Sequence, residues 1–145
     1  MIAFFFSLAL SLQANAQTKP RSQPDSGFNK AMLAYQGQNY AGAYKLLVPL
    51  AKKNHVPAMA QLAYMYEYGI GVRKDAGEAG KLYKKLMGQY MQQAQQGNAE
   101  AQYQVGQLHY GGKGVPENVP EAMRWFAQAG ENGHLESQYK LALLF

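Results

Sequence analysis

Gly111-Gly112-Lys113-Gly114 sets a lysine among glycines, the composition of a loop that cradles phosphate oxygens. Such a loop needs Gly-x4-Gly-Lys followed by Ser or Thr, after a buried strand, so that backbone N–H groups and a hydroxyl converge on phosphate. Here Lys113 is followed by Gly114, no strand pattern precedes it, and Gly-x-Gly recurs at 69 and 71. These glycines therefore read as turn residues. The three histidines, His55, His109 and His134, form no ligand pair at helical spacing, so no metal site is expected. The carboxylates are scattered. Glu78 and Glu121 recur at the starts of expected helices, where a negative charge complements the helix dipole. Lys81, Lys84 and Lys85, with Arg73 and Lys74, make a basic stretch. It lacks the interleaved aromatics of a single-strand nucleic-acid binder and reads as a solvated helix face. The chain has no Cys, which excludes disulfides, thiolate metal sites and a Cys nucleophile. No catalytic residue, cofactor or metal ligand is therefore expected. The net charge of +5 permits an acidic partner without naming one.

Tyrosine is the unusual signal, at 11 of 145 residues. Its ring offers broad contact area at low side-chain entropy cost, and its hydroxyl adds a hydrogen bond. What these rings can do depends on the elements that hold them.

Those elements come from a repeat. Ala58, Leu62, Ala63, Tyr66, Gly69, Gly71 and Val72 recur in register as Ala101, Val105, Gly106, His109, Gly112, Gly114 and Val115. Glu78-Ala79-x-x-Leu82-Tyr83 aligns with Glu121-Ala122-x-x-Trp125-Phe126, and a third start appears at Ser137-Gln-Tyr-Lys-Leu141-Ala142. Each unit reads as helix, glycine turn, helix. Ala58, Leu62, Met65 and Tyr66 form one apolar stripe, and Ala79, Leu82, Tyr83 and Leu86 form the next. Gly97 and Gly133 read as left-handed helix stops, with Asn54 in the corresponding place before Ala58. The first unit is longer than the second by seven residues, about two helical turns, which extends its second helix over Glu78 to Gln96 without rotating the buried face. Residues 28–57 fit the same plan loosely: a helix over Phe28–Gln36, then one over Tyr40–Lys53 broken or bent at Pro49.

At the N-terminus, Ile2 to Leu12 is nearly continuously apolar but too short to span a bilayer. Ala14-Asn15-Ala16 then gives a small-x-small cleavage pattern. Residues 1–16 read as an export signal and 17–27 as a flexible linker, with a periplasmic or secreted destination. The repeat domain is 28–145: a leader pair 28–57, repeats 58–100 and 101–136, and a partial repeat 137–145. That last unit halts before its glycine turn with an apolar Leu141-Ala-Leu-Leu-Phe145, which reads as a cut from a longer array.

These residues resemble the Sel1-like repeat family, relatives of the tetratricopeptide repeats, whose unit runs A-x3-L-G-x2-Y-x2-G-x-G-V-x5-K-A-x2-W-Y-x2-A-x3-G. Ala101, Val105, Gly106, Gly112, Gly114, Val115, Ala122, Trp125, Phe126, Ala129 and Gly133 carry the fuller copy. Ala63 for Gly, Leu82 for Trp and His109 for Tyr depart from it. The resemblance implies an all-α, right-handed αα-hairpin solenoid that serves as a scaffold for a protein or peptide. By tetratricopeptide geometry, Tyr64, Glu67 and Tyr68, then Tyr103, Gln107 and Tyr110, then Tyr139 line the inner face as the partner-binding ridge. A cell-wall glycan is the alternative ligand. A third reading is hydrolysis, since a cysteine-rich branch of the family is linked to β-lactam cleavage. That branch carries a pair of Cys per unit, and this chain has none.

Overall fold

The computed structural model describes residues 26–145, and the expected export signal and most of the expected linker lie outside the described residues. Among the described residues seven helices follow one another: α1 (Ser26–Gln36), α2 (Tyr40–Lys52), α3 (Val56–Tyr68), α4 (Ala76–Gln95), α5 (Ala99–Gly111), α6 (Val119–Glu131) and α7 (Leu135–Leu144). Each packs chiefly on its neighbours in sequence, the arrangement of an αα solenoid. No strand occurs among the described residues. None of these helices is long and apolar enough to cross a membrane.

Every helix from α2 to α7 starts on a side-chain cap. Asn39, Asp75, Asn98 and Asn118 each accept a hydrogen bond from the backbone N–H three residues on, at 2.9–3.0 Å. His55 and His134 do the same through Nδ1, at 3.2 and 3.1 Å to Ala58 N and Ser137 N. The shared inter-repeat position of the two histidines is thus an N-cap, filled by Asn98 in the unit between. Asn54, Gly97 and Gly133 adopt the expected positive φ of 61°, 89° and 89°. The extra seven residues lie in α4, which has 20 residues against 13 in α6.

One boundary and one helix interior differ from expectation. α1 begins at Ser26, two residues into the expected linker, with Gly27 against the Leu50 side chain. α2 runs through Pro49 unbroken. Proline leaves the carbonyl four residues earlier without its helical donor. That carbonyl belongs to Lys45, an exposed residue on the outer side of α2.

The core is one cluster along α1–α5, including Leu47, Met59, Leu62, Met65, Leu86 and Val105, and a smaller one of Tyr103, Ala122, Phe126 and Ala129. Small residues set the helix spacing. A Cβ on Gly106 would lie 2.5 Å from the Phe126 ring, so α5 and α6 meet through a glycine.

Candidate functional site

The glycine turns place one lysine on the α3/α5/α7 side. Gly71 and Gly114 have φ of 68° and 71°, and each rests on the helix of the preceding unit. A Cβ on Gly71 would lie 2.6 Å from the Tyr40 carbonyl carbon, and one on Gly114 would lie 2.6 Å from that of Tyr83. This contact carries Lys113 over Tyr83 and Tyr68, its Nζ 5.5 and 6.0 Å from the ring centroids. The same ammonium pairs with Glu67. Glu67 also accepts a 2.6 Å hydrogen bond from the Tyr83 hydroxyl. Burial pushes the Tyr83 phenol above its ordinary range. Lys113 is thus a strut between units, and the adjoining cleft is walled by Gly111 to Gly114, Ala79 and Tyr83.

One unit on, Lys140 takes a comparable place. Its Nζ donates to Gln107 Oε1 at 2.6 Å and lies 5.8–5.9 Å from the ring centroids of Tyr103, Tyr110 and Phe126. No carboxylate among the described residues pairs with it.

The seven residues of the expected ridge divide into two groups. Tyr64, Tyr68, Tyr110 and Tyr139 are exposed by 42–66%, and the first two rings touch at a centroid distance of 4.6 Å. Glu67, Tyr103 and Gln107 are tied into the protein itself. Tyr103 corrects the expectation most: it is 5% exposed, stacked on His134 at 4.5 Å and packed on Phe126. Its hydroxyl donates to Glu136 at 2.7 Å and accepts from Gln107. Burial and then the Glu136 hydrogen bond push its pKa well up. The reason is local. Tyr103 lies near the start of α5, where the next unit's cap crosses, whereas Tyr110 lies at the open end.

Sequence reasoning passed over two polar networks. Gln102, 4% exposed, donates to Ala94 O and accepts from Asn132, which ties three helix ends together. Ser137-Gln138-Tyr139-Lys140 has the Ser-x-x-Lys spacing of some acyl-transfer enzymes. Ser137 Oγ lies 2.9 Å from His134 Nδ1, and His134 Nε2 lies 3.0 Å from Glu100. Since Nδ1 accepts from Ser137 N, the ring proton sits on Nε2 and is donated to Glu100. Yet Ser137 is fully buried, and Lys140 points to Gln107 and the rings. The arrangement closes the start of α7. No cluster of three or more His, Asp or Glu among the described residues is placed to hold a metal ion.

The two helix–turn–helix units, at residues 56–86 and 99–134, each match the Sel1 repeat. The chain is a Sel1 repeat protein. Solved relatives agree. A Sel1 repeat protein from Oxalobacter formigenes superposes with a TM-score of 0.54 at 29% identity, covering 79% of this chain and 44% of that one. The protective antigen c5321 of uropathogenic Escherichia coli, which has the same repeat fold, gives 0.57 at 26% identity, covering 82% and 25%. Among curated proteins, an exopolysaccharide production negative regulator of Rhizobium meliloti is 27% identical over 169 aligned positions. That match takes in 87% of this chain, and the chain spans 63% of the relative's length. Sel1 repeats generally act as protein-binding scaffolds, and their motif residues are the packing residues described above.

Proposed function

We propose that this Sel1 repeat protein is an exported adaptor that binds a protein or peptide through the exposed tyrosines of α3, α5 and α7. The observation that carries this reading is the exposure of Tyr64, Tyr68, Tyr110 and Tyr139 beside a rigid frame. Lys113 lies against Tyr68 and Lys140 against Tyr110. The rings therefore meet a partner with little ordering left to do, the condition under which aromatic anchors dominate binding. The similarity to a negative regulator of exopolysaccharide production supports regulation of envelope or surface polymer synthesis as the process served. The adaptor would act there by holding a protein partner.

The test starts with capture of partners from an envelope extract and N-terminal sequencing of the exported protein, expected to begin at Gln17. Tyr64→Ala and Tyr110→Ala should each weaken the captured complex by about 1 kcal/mol or more, with little change in stability. Unchanged affinity with a large stability loss would place those rings in the core and remove the ridge. Glycan-array binding that depends on the same two rings, with no protein captured, would transfer the site to a polysaccharide.

A further inference from the structure

A second surface lies away from the tyrosines, in the groove between α2 and α4. Its walls are Val48, Ala51 and Lys52 from α2 and Glu78, Leu82 and Lys85 from α4; Leu62 and Tyr66 of α3 form the floor. The groove encloses about 170 Å³.

Its existence follows from one departure between the repeats. Leu82 stands where the second repeat has Trp125, and Trp125 is partly buried against the main core cluster. The smaller leucine leaves space between two helices whose separation is set elsewhere: by the α3 packing beneath and by Gly71 resting on Tyr40. The floor is rigid. The Tyr66 ring meets Tyr44 edge-on, and their hydroxyls are 2.8 Å apart.

The rim is basic. Lys45 lies on the Val48–Lys52 stripe of α2, and Lys85, one turn on from Leu82, lines the groove from α4. The groove's one carboxylate, Glu78, is held by Lys81 at 2.6 Å. Lys45, Lys52 and Lys85 have no acidic partner among the described residues. The imbalance extends beyond the groove: residues 26–97 hold nine Lys and Arg against three Asp and Glu, and residues 98–145 hold three against five. An apolar slot with unpaired ammonium groups on both walls complements one bulky apolar side chain flanked by carboxylates.

We propose that this groove docks an acidic segment of a partner protein, with one aromatic side chain entering the space that Trp125 fills in the second repeat. A flat lipid surface does not reach a slot between helices. A nucleic acid finds no free ring to stack on, because Tyr66 is engaged with Tyr44. The site is separate from the tyrosine ridge, and its test does not use the ridge partner.

The probe is a fluorescein-labelled peptide of Asp and Glu with one central Trp, followed by anisotropy at low salt. The wild-type protein should bind it. Lys52→Glu with Lys85→Glu should weaken binding by about tenfold or more, since these charges face the ligand from both walls. Leu82→Trp, which supplies the second repeat's own residue, should weaken it by a similar factor while the thermal midpoint is kept or raised. The double lysine variant alters only exposed side chains, so it tests the site even if Leu82→Trp packs poorly. Tyr64→Ala and Tyr110→Ala should leave the peptide bound, which separates this site from the ridge. No binding to the wild-type protein, or equal binding to Leu82→Trp, overturns the proposal. So does binding of phosphatidylglycerol vesicles or oligo-dT as tight as the peptide's, since that marks a general polyanion surface.

Discussion

Replacing Gly114 by Ala tests how the repeat units are joined. Two costs add at this position. The left-handed φ of 71° disfavours any Cβ by about 1–2 kcal/mol. The added Cβ would also lie 2.6 Å from Tyr83 C, 2.7 Å from Lys84 N and 2.9 Å from Tyr83 O. These are backbone atoms inside α4, which cannot swing aside as the end of a side chain can, and relieving such overlap costs about 1–3 kcal/mol. The expected total is about 2–5 kcal/mol. Gly97 supplies the control: its φ is 89°, and a Cβ there meets nothing within 4 Å. Gly97→Ala should therefore show the conformational cost alone, about 1–2 kcal/mol. At about 3–6 °C per kcal/mol for a domain of this size, Gly114→Ala should melt at least several degrees below Gly97→Ala. Thermal unfolding followed by circular dichroism at 222 nm reads the difference. Equal midpoints for the two variants would refute the close approach of the turn to α4. An unchanged midpoint for Gly114→Ala would refute the turn itself.

Burial, then the Tyr44 hydroxyl, pushes Tyr66 up to about 12. An unfolded phenol ionises near 10, so this stabilisation is intact below about pH 10 and is lost as pH rises towards 12. The stability difference between the wild-type protein and Tyr66→Phe should shrink across that window in urea titrations; a constant difference would refute the assignment. Asn118→Ala removes the acceptor for Glu121 N and should cost about 1 kcal/mol, read as a lower urea midpoint. Tyr103→Phe leaves Glu136 and Gln107 without their shared hydroxyl and should destabilise by about 1–2 kcal/mol. A neutral result there would return Tyr103 to the exposed ridge.

What the sequence made legible was whatever the repeat enforces. Gly71 and Gly114 were readable because a turn that lies on a neighbouring helix admits no Cβ, so the same letter must recur in each copy. The extra two turns of α4 were readable because seven residues preserve the buried stripe. Tyr103 was misread because periodicity places a residue on a helix face but does not say where the next unit's cap crosses it. His134 and Glu136, which hold its ring and hydroxyl, lie 31 and 33 residues further on. The cap positions were open to reading: Asp75, Asn98 and Asn118 each stand directly before a helical run. The histidine caps were not, because imidazole is uncommon in that role, and only the Asn98 between them gives it away.

The same logic says where specificity resides. A position that packs identically in both copies contributes stability and cannot distinguish one partner from another. Positions that differ between the copies are released from that duty. Glu67 corresponds to Tyr110, and Ile70 to Lys113: in the first repeat the carboxylate receives a lysine strut from the next turn, and in the second the ring stands exposed at 42%. Leu82 corresponds to Trp125, and there the first repeat has the opening and the second the plug. The two differences fall on different sides of the stack. One makes an aromatic projection at the α5 end, and the other makes a basic slot between α2 and α4. A solenoid that buries its faces only against neighbours can hold both, because neither Tyr110 nor Leu82 takes part in the glycine contacts that join the units.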